Sequence, residues 1–402
     1  MSALLYLVHR LPYPPDKGDK LRSFHLLKHL LRNHRVHLGT FIDDPQDERH
    51  IDTLRALCAG LHVEPLNPRA SKLRSLQGLL SHRALTLGYY RSAALSGWVR
   101  RTVAEQQIDT AVVFSSSMAQ YVDALPGLRT VVDFVDVDSA KWTQYADARR
   151  WPLSWLYRRE GERLLAYERE VAQRAQRSFF VTAAETALFA RLAPESSARV
   201  EPLGNGVDAE FFAPDAALVS PFEPGETALV FTGAMDYWPN VDAVSWFARE
   251  ILPVLRRARP GLRFHIVGRS PTPAVLALAS DAVRVTGTVP DVRPYLQHAT
   301  VVVAPLRLAR GIQNKLLEAM AMARPVVASQ ACAQAIDARD GIELAWAADA
   351  ADFVARIEAL LDAPQQAAQL GAAARRRVLE RYSWSAHLAG IDIHLAPSEV
   401  PA

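Results

Sequence analysis

The chain of 402 residues is half hydrophobic and carries 46 Lys and Arg against 43 Asp and Glu, a formal net charge of +3. The chain is longer than an ordinary domain with one hydrophobic core, which predicts two domains. The near balance of charge argues against a protein that binds nucleic acid mainly through its overall positive charge. Its two cysteines, Cys58 and Cys332, have no metal-ligand spacing, no apolar run reaches about 18 residues, and the start lacks a secretory signal pattern. We therefore expect a soluble, cytoplasmic chain.

The first predicted unit is a strand over residues 4–9, the loop PYPPDKGDK and a helix with Leu21, Phe24 and Leu27 on one face. Gly18 lies where the loop passes into the helix. Because the loop has one glycine and not the pattern G-x-G-x-x-G, it is a weak signal for dinucleotide binding, and a simple flexible turn remains an alternative.

Five more strands are predicted in the N-terminal half, at residues 36–42, 61–66, 111–114, 130–135 and 178–182. Their alternation with helices indicates an α/β fold in which six parallel strands form one Rossmann-like, doubly wound domain. Ligands of such sheets bind outside the carboxyl ends of the strands, so residues 115–117 and 133–139 should line the crevice.

Three aspartates, Asp133, Asp136 and Asp138, lie close together at the end of one of these strands. A carboxylate in the crevice can take a proton from a hydroxyl group, which makes Asp136 and Asp138 candidate catalytic residues. Placement in a solvated loop is the plain alternative. His9 and His25 are neighbouring candidates for the same role.

Residues 149–159, RRWPLSWLYRR, enclose Trp151 and Trp155 between two pairs of arginines. Such a composition suits contact with a membrane surface. The tryptophans also have the spacing of a helix that packs inside the protein, so internal packing remains an alternative.

The domain junction is predicted within residues 200–214, because a strand is followed there by Gly204, Gly206 and several prolines. We place one domain at residues 1–205 and a second at 206–380. A helical segment follows at 381–395, and the polar tail at 396–402 is expected to be disordered. The second domain alternates again, with strands predicted at 228–232, 263–267, 283–286, 301–304 and 326–328.

Residues 300–329 read as strand, loop, helix and strand, with the helix starting near Asn314. Arg310 and Lys315 put two cations beside the positive end of the helix dipole, where a helix selected for stability would favour acids. An anion such as phosphate would resolve that conflict. Glu318 lies three residues after Lys315 and suits sugar hydroxyls, although a simple ion pair between the two is the alternative.

This segment, through Gly311, Lys315, Glu318 and the residues 319–321 and 325–327, resembles the donor site of retaining glycosyltransferases of family four. The string NGVDAEFFAP at 205–214 resembles the start of their second domain. The resemblance implies the GT-B fold, with two Rossmann-like domains that face a cleft and a C-terminal helix that crosses back to the first domain. It also implies a nucleotide-sugar donor, with no metal and no other cofactor.

On this resemblance the expected catalytic residues are Asp136, Asp138, Lys315 and Glu318. The expected donor-binding residues are Gly18, Gly233, Arg269, Val289, Arg310, Gly311, Ile312, Asn314, Lys315 and Glu318. Four positions depart from the family pattern: Asp19 replaces a second glycine, Val135 or Asp136 stands where many members have histidine, Arg310 replaces the first glutamate, and Ala234, Met235 and Asn240 lie where members carry Arg and Lys. Arg269, Arg310 and Lys315 would then stabilise the leaving diphosphate.

The opening of the chain and the string DFVDVDSAKW are most similar to exosortase (PEP-CTERM)-associated sugar transferases of exopolysaccharide biosynthesis. This finer resemblance implies transfer, with retention, to a glycan or lipid-linked acceptor at the inner face of the cytoplasmic membrane, with peripheral membrane contact. Two alternatives are a catalytically silent nucleotide-sugar-binding protein and a GT-B-fold epimerase.

Overall fold

Seven parallel strands form the sheet of the N-terminal part of the chain in a computed structural model. They are β1 (Ser2–Val8), β2 (His34–Ile42), β3 (Gly60–Pro65), β4 (Thr110–Phe114), β5 (Arg129–Val135), β6 (Arg177–Phe180) and β7 (Val200–Pro202), in the order β3-β2-β1-β4-β5-β6-β7. The order reverses between β1 and β4, which confirms the predicted doubly wound sheet. Six of them match the strands predicted for the domain, and the seventh, β7, lies at the sheet edge, where the sequence predicted a strand before Gly204.

The structure describes residues 2–15, 18–79, 83–147, 150–307 and 312–395. They divide into two units, the first made of residues up to Asn205 together with those from His387 onward, and the second of Gly206–Ala386. Arg310, Gly311 and the predicted tail at 396–402 lie outside the described residues.

Eight α-helices flank the first sheet among the described residues. They are α1 (Gly18–Asn33), α2 (Ile51–Leu57), α3 (Pro68–Ser75), α4 (Leu85–Tyr89), α5 (Ala93–Glu105), α6 (Asp138–Asp147), α7 (Leu153–Arg174) and α8 (Ala183–Leu192), with 3-10 helices at Pro45–His50, Leu76–Leu79, Ser116–Tyr121 and Pro194–Arg199. Apolar residues at helical spacing, such as Leu26, Leu27 and Leu30 of α1, are fully buried.

A buried ion pair fixes α1 to the sheet of the first unit. Arg22, on α1, donates two hydrogen bonds to Asp133 of β5, at 2.7 and 3.0 Å, and a third to Oδ1 of Asn205 at 2.9 Å. Both charged side chains are only 1% exposed. One of the three predicted crevice aspartates, Asp133, is therefore committed to holding the fold together.

The second unit has six parallel strands. They are β8 (Thr227–Thr232), β9 (Leu262–Val267), β10 (Val283–Gly287), β11 (Val301–Ala304), β12 (Val326–Ser329) and β13 (Ala345–Ala347), in the order β10-β9-β8-β11-β12-β13. Five of them were predicted, and β11 has the predicted bounds. The sequence did not predict β13, a strand of three residues at the sheet edge.

The remaining helices follow the same alternation. They are α9 (Trp238–Trp246), α10 (Leu252–Ala258), α11 (Pro273–Leu276), α12 (Arg293–His298), α13 (Asn314–Ala321), α14 (Gln330–Ala333), α15 (Ala350–Asp362), α16 (Pro364–Arg381) and α17 (Trp384–Leu395), with a π-helical turn at Phe247–Ile251. Helix α17 begins in the second unit, and its residues from His387 belong to the first. None of the helices in the described ranges is long and apolar enough to cross a bilayer.

Replacement of Asp133 by alanine should leave the guanidinium group of Arg22 buried without its carboxylate. Removal of one partner of a buried pair costs about 3–5 kcal/mol, so we expect a loss of stability of that size in the first unit. The measurement is hydrogen–deuterium exchange of the β4 and β5 peptides as a function of urea concentration.

Asp52→Ala is the matched control, because the Asp52–Arg55 pair lies on the surface of α2 with side chains 89% and 64% exposed. An exposed pair contributes at most about 1 kcal/mol. Equal destabilisation by the two substitutions would contradict the structural role of the buried pair.

Candidate functional site

A cavity of about 620 Å³ opens at the switch point of the second sheet, where the strand order reverses between β8 and β11. Its walls come from the carboxyl ends of β8, β9 and β10 and from the N-terminus of α13. Seven of the predicted site residues line it, namely Gly233, Arg269, Val289, Ile312, Asn314, Lys315 and Glu318. The fold thus brings residues from four separate loops into one site.

Two glycines let the backbone form the floor of this cavity. A Cβ on Gly233 would stand 2.8 Å from Nδ2 of Asn240 and 3.0 Å from Nζ of Lys315. A Cβ on Gly268 would stand 1.7 Å from the carbonyl oxygen of Gly233. A side chain at either position would therefore displace the lysine or push the ends of β8 and β9 apart.

Lys315 carries a positive charge into the cavity, and its two direct contacts there are with uncharged groups. Its ammonium donates a hydrogen bond to Oδ1 of Asn240 and lies 4.4 Å from the centre of the Phe231 ring. Burial lowers the pKa of Lys315 to about 8, although the nearby carboxylate of Glu318 acts in the opposite direction. The charged form is therefore poorly compensated and would be stabilised by an anion.

Glu318 lies one turn further along α13 and has unused hydrogen-bonding capacity. Burial raises the pKa of Glu318 to about 7, against the opposing effect of Lys315. Within the described residues its carboxylate accepts no hydrogen bond, and the buried hydroxyl of Thr232 in the same cavity has no partner either. A ligand rich in hydroxyl groups can donate hydrogen bonds to the carboxylate of Glu318.

The N-terminus of α13 adds positive potential to the site. The residue before the helix, Gln313, makes no capping hydrogen bond with its side chain, and no acid lies in the first turn. The first N–H groups of a helix lack intrahelical acceptors and form the positive end of its dipole. With exposed Arg269 on the cavity wall, the site suits a phosphate-containing ligand.

Five predicted site residues are not among those that the structure places in this cavity. Arg310 and Gly311 lie outside the described residues, and Gly18, Asp136 and Asp138 belong to the first unit. Gly18 begins α1, and a Cβ there would meet nothing within 4 Å, so packing does not require glycine.

Asp136 and Asp138 share one cation. Nζ of Lys141 lies 2.8 Å from Asp136 and 3.0 Å from Asp138. Burial works against the charge of Lys141, but the two carboxylates outweigh it and raise the pKa of the lysine. Of the two aspartates, Asp138 lines a second cavity, in the first unit.

Sequence reasoning assigned no role to several other residues that line this cavity, among them Thr232, Asn240 and Gly268. Asn240 is buried on α9 and orients Lys315, while its Nδ2 donates to the carbonyl oxygen of Ala234 at 2.8 Å. A signal for the glycine was available, because the strings VFTG, HIVG and RVTG each end a predicted strand with glycine. No local pattern links position 240 to position 315.

Among the described residues, no group of three or more His, Cys, Asp or Glu side chains is arranged to hold a metal ion. The expectation that the protein needs no metal or other cofactor stays a prediction.

Comparison with known proteins gives a match to a family model over part of the chain and a match to a known fold. Residues 226–363 match the family Glycosyl transferases group 1, whereas no curated protein sequence matches the chain. Among solved structures, HepE from Anabaena in complex with UDP has a TM-score of 0.61 at 14% identity, over 98% of this chain and 99% of that one. A glycosyltransferase from Rickettsia africae has a TM-score of 0.62 at 12% identity, over 98% and 97%.

A sucrose-phosphate synthase from Thermosynechococcus elongatus has a TM-score of 0.59 at 15% identity, over 98% of both chains. These likenesses confirm the predicted GT-B fold, with a seven-stranded and a six-stranded parallel sheet in two α/β units. The family match identifies a glycosyl transferases group 1 domain over residues 226–363 and supports a glycosyltransferase.

The partly buried ammonium of Lys315 should titrate near pH 8, because desolvation disfavours its charged form. An exposed lysine titrates near pH 10.4, about two units higher. After reductive methylation with ¹³C-formaldehyde, NMR titration of the methyl signals measures each pKa. Lys315 is the only lysine in the sequence from 206 to 386, and Lys315→Arg assigns its signal.

Asn240→Leu should lower this pKa further, since it removes the acceptor of the ammonium hydrogen bond. If the signal of Lys315 titrated together with those of exposed lysines, the ammonium would not be buried as described.

Proposed function

We propose that the protein is a glycosyltransferase that moves a sugar from a nucleotide-diphosphate-sugar, bound in the cavity of the second unit, to a glycan or lipid-linked acceptor. The observation that carries this proposal is the poorly compensated ammonium of Lys315 at the N-terminus of α13, close to the unsatisfied carboxylate of Glu318. One ligand with a diphosphate and a ribose satisfies both groups.

The diphosphate would lie between Lys315, Arg269 and the first N–H groups of α13. When the bond to the sugar breaks, negative charge grows on the leaving diphosphate, and these groups stabilise it in the transition state. The ribose hydroxyls would donate to Glu318, which favours its ionised form. Val289 and Val292 supply an apolar wall against which the base can lie.

A UDP-sugar is the first donor to test. HepE from Anabaena has been solved with UDP and with UDP-glucose, which supports a nucleotide-sugar donor for this fold. The sequence resemblance supports retention of configuration, with an oxygen of the leaving diphosphate as the proton acceptor. It also supports a role in exopolysaccharide biosynthesis, and Asp136 and Asp138 remain proposed contacts of the acceptor.

A donor panel tests this proposal directly. Wild-type protein is incubated with UDP-, GDP-, ADP- and dTDP-sugars, and binding and slow hydrolysis are measured. We expect one donor to be preferred. Lys315→Ala should lower turnover by about 10²- to 10³-fold, the cost of removing one group that stabilises the transition state. Glu318→Ala should raise the Kd about tenfold or more, through loss of hydrogen bonds to a charged acceptor.

Arg257→Ala and Glu250→Ala serve as controls, because both side chains are exposed and neither lines the cavity. If Lys315→Ala kept full turnover, the assignment of this cavity as the donor site would be wrong. Donor binding with no hydrolysis and no transfer would favour the catalytically silent alternative, and release of an epimer would favour an epimerase.

We further propose that the protein works at the inner face of the cytoplasmic membrane, through the start of α7. Trp151, Leu153 and Trp155 are 81%, 45% and 56% exposed there, and Arg150 and Arg158 are exposed beside them. Large apolar side chains flanked by arginines suit an interface with anionic lipids.

The double substitution Trp151→Ala and Trp155→Ala should lower binding to vesicles of phosphatidylglycerol and phosphatidylethanolamine about tenfold or more. Burial of even one large apolar side chain contributes about that factor. Co-sedimentation of the protein with the vesicles measures this binding. The control is Trp238→Ala, which removes a tryptophan 60% exposed in the second unit. Unchanged sedimentation of the double variant would rule out this contact.

A further inference from the structure

A third cavity, of about 540 Å³, lies at the edge of the sheet in the first unit. One wall comes from Phe41 of β2 and from Glu64 and Pro65 of β3, the edge strand, and the other from α3, α4 and the start of α5. It shares no lining residue with the cavity that Asp138 lines. Its volume is within the range of small-molecule sites, about 300–1,000 Å³.

Three arginines from three separate segments line this cavity. Arg74 belongs to α3, Arg83 precedes α4, and Arg91 lies between α4 and α5. The single acid among the described lining residues is Glu64, and its Oε2 lies 3.1 Å from Nε2 of His62. The lining therefore has an excess of two positive charges.

None of the three arginines forms an ion pair with a carboxylate within the described part of the chain. Arg74 donates hydrogen bonds to the hydroxyl of Ser71 at 3.1 Å and to the carbonyl oxygen of Gly88 at 3.4 Å, so it also holds α4. The guanidinium groups of Arg83 and Arg91 donate no hydrogen bond to any described residue. The fold itself makes no use of these two charges.

Other arginines of the first unit do have acidic partners. Arg169 lies 2.6 Å from Glu195, and Arg174 lies 3.0 Å from Asp123. Asp123 also interacts electrostatically with Arg83, but its carboxylate is already held by Arg174 and by the hydroxyl of Tyr167 at 2.8 Å. Because like charges that lie close together repel, a bound anion would relieve the repulsion in the arginine-lined cavity.

The remaining polar groups suit a phosphate ester that also carries hydroxyl groups. Ala93 and Ala94, the first two residues of α5, line the cavity, and the first N–H groups of a helix have no intrahelical acceptor. Gln120 donates its amide hydrogens to the carbonyl oxygens of Leu87 and Ser117, at 3.2 and 2.7 Å. Within the described residues its Oε1 accepts no hydrogen bond, so it can accept one from a hydroxyl group.

We propose that this cavity is a second anion-binding site of the protein and that its ligand is a soluble phosphate monoester of a hydroxylated molecule. The phosphate would lie between Arg83 and Arg91, whose planar guanidinium groups can each donate two hydrogen bonds to its oxygens. A phosphate monoester carries about two negative charges at pH 7, which matches the excess charge of the lining better than a carboxylate does. The hydroxyl group would donate to Gln120.

The test measures binding of glucose 6-phosphate and of glucose to the full chain by isothermal titration, and hydrogen–deuterium exchange locates the site. We expect saturable binding of glucose 6-phosphate and no binding of glucose. Exchange should slow in the peptides that cover residues 83–95, because the phosphate joins the segments before α4 and before α5. The absence of binding, or binding without protection of these peptides, would overturn the inference.

Arg83→Gln and Arg91→Gln should each raise the Kd of glucose 6-phosphate about ten- to hundredfold, through loss of hydrogen bonds to a charged group. Arg100→Gln is the matched control, since Arg100 is exposed on α5, does not line the cavity and changes the net charge by the same amount. An equal rise of the Kd in all three variants would show attraction by overall charge and would overturn the site.

Vesicles of phosphatidylcholine, with and without phosphatidic acid, distinguish a soluble ester from a lipid head group. Protection of residues 83–95 by phosphatidic acid and not by glucose 6-phosphate would overturn the inference in favour of a lipid phosphate. Lys315→Ala should leave the affinity of this site unchanged, because Lys315 lines the cavity of the second unit. The inference therefore does not depend on the proposed glycosyltransferase function, and either can fail without the other.

Discussion

The partly buried ammonium of Lys315 is the feature on which the candidate site of the second unit depends. Burial lowers its pKa from 10.5 to about 8, a penalty of roughly 3 kcal/mol for the charged form. An anion that restores good solvation to the charge can recover a large part of this energy, up to about two orders of magnitude in affinity. The surrounding structure keeps the ammonium in place without neutralising it. Gly233 leaves room for it, Asn240 accepts its hydrogen bond, and Phe231 supports it.

In the first unit, by contrast, buried charges are paired with groups of opposite charge. Arg22 is paired with Asp133, and Lys20 is paired with Asp47 at 2.6 Å, all buried. Lys141 is shared by two carboxylates, and Glu160 is used as a helix cap. Of the charged groups that line the cavity at Asp138, that aspartate and Glu160 thus already have partners, and Lys72 is exposed.

Much of the fold could be predicted from the sequence. Strand β11 has its predicted bounds, and α13 was predicted to start near Asn314, where it begins. A buried parallel strand reads as an apolar run, and α13 has apolar residues at helical spacing. Strand β13 could not be predicted, since three residues carry no periodicity and its place at the sheet edge depends on tertiary contacts.

The candidate site was predictable where the signal is local. Lys315 and Glu318 stand out because cations conflict with a helix N-terminus and an acid follows on the same face. The role of Asn240 depends on how the fold brings two distant segments together, so the sequence alone does not contain it. For Asp138 a local signal was overlooked, because Lys141 lies three residues later, at the spacing of a helical ion pair.

Asn240 also determines how positive charge is distributed in the site. Its Nδ2 donates to the carbonyl oxygen of Ala234, which turns Oδ1 towards Lys315 and fixes the direction of the ammonium. A second ammonium at this buried position would repel Lys315 and lower its pKa further. With asparagine there, the positive potential instead comes from Lys315, from exposed Arg269 and from the N-terminus of α13.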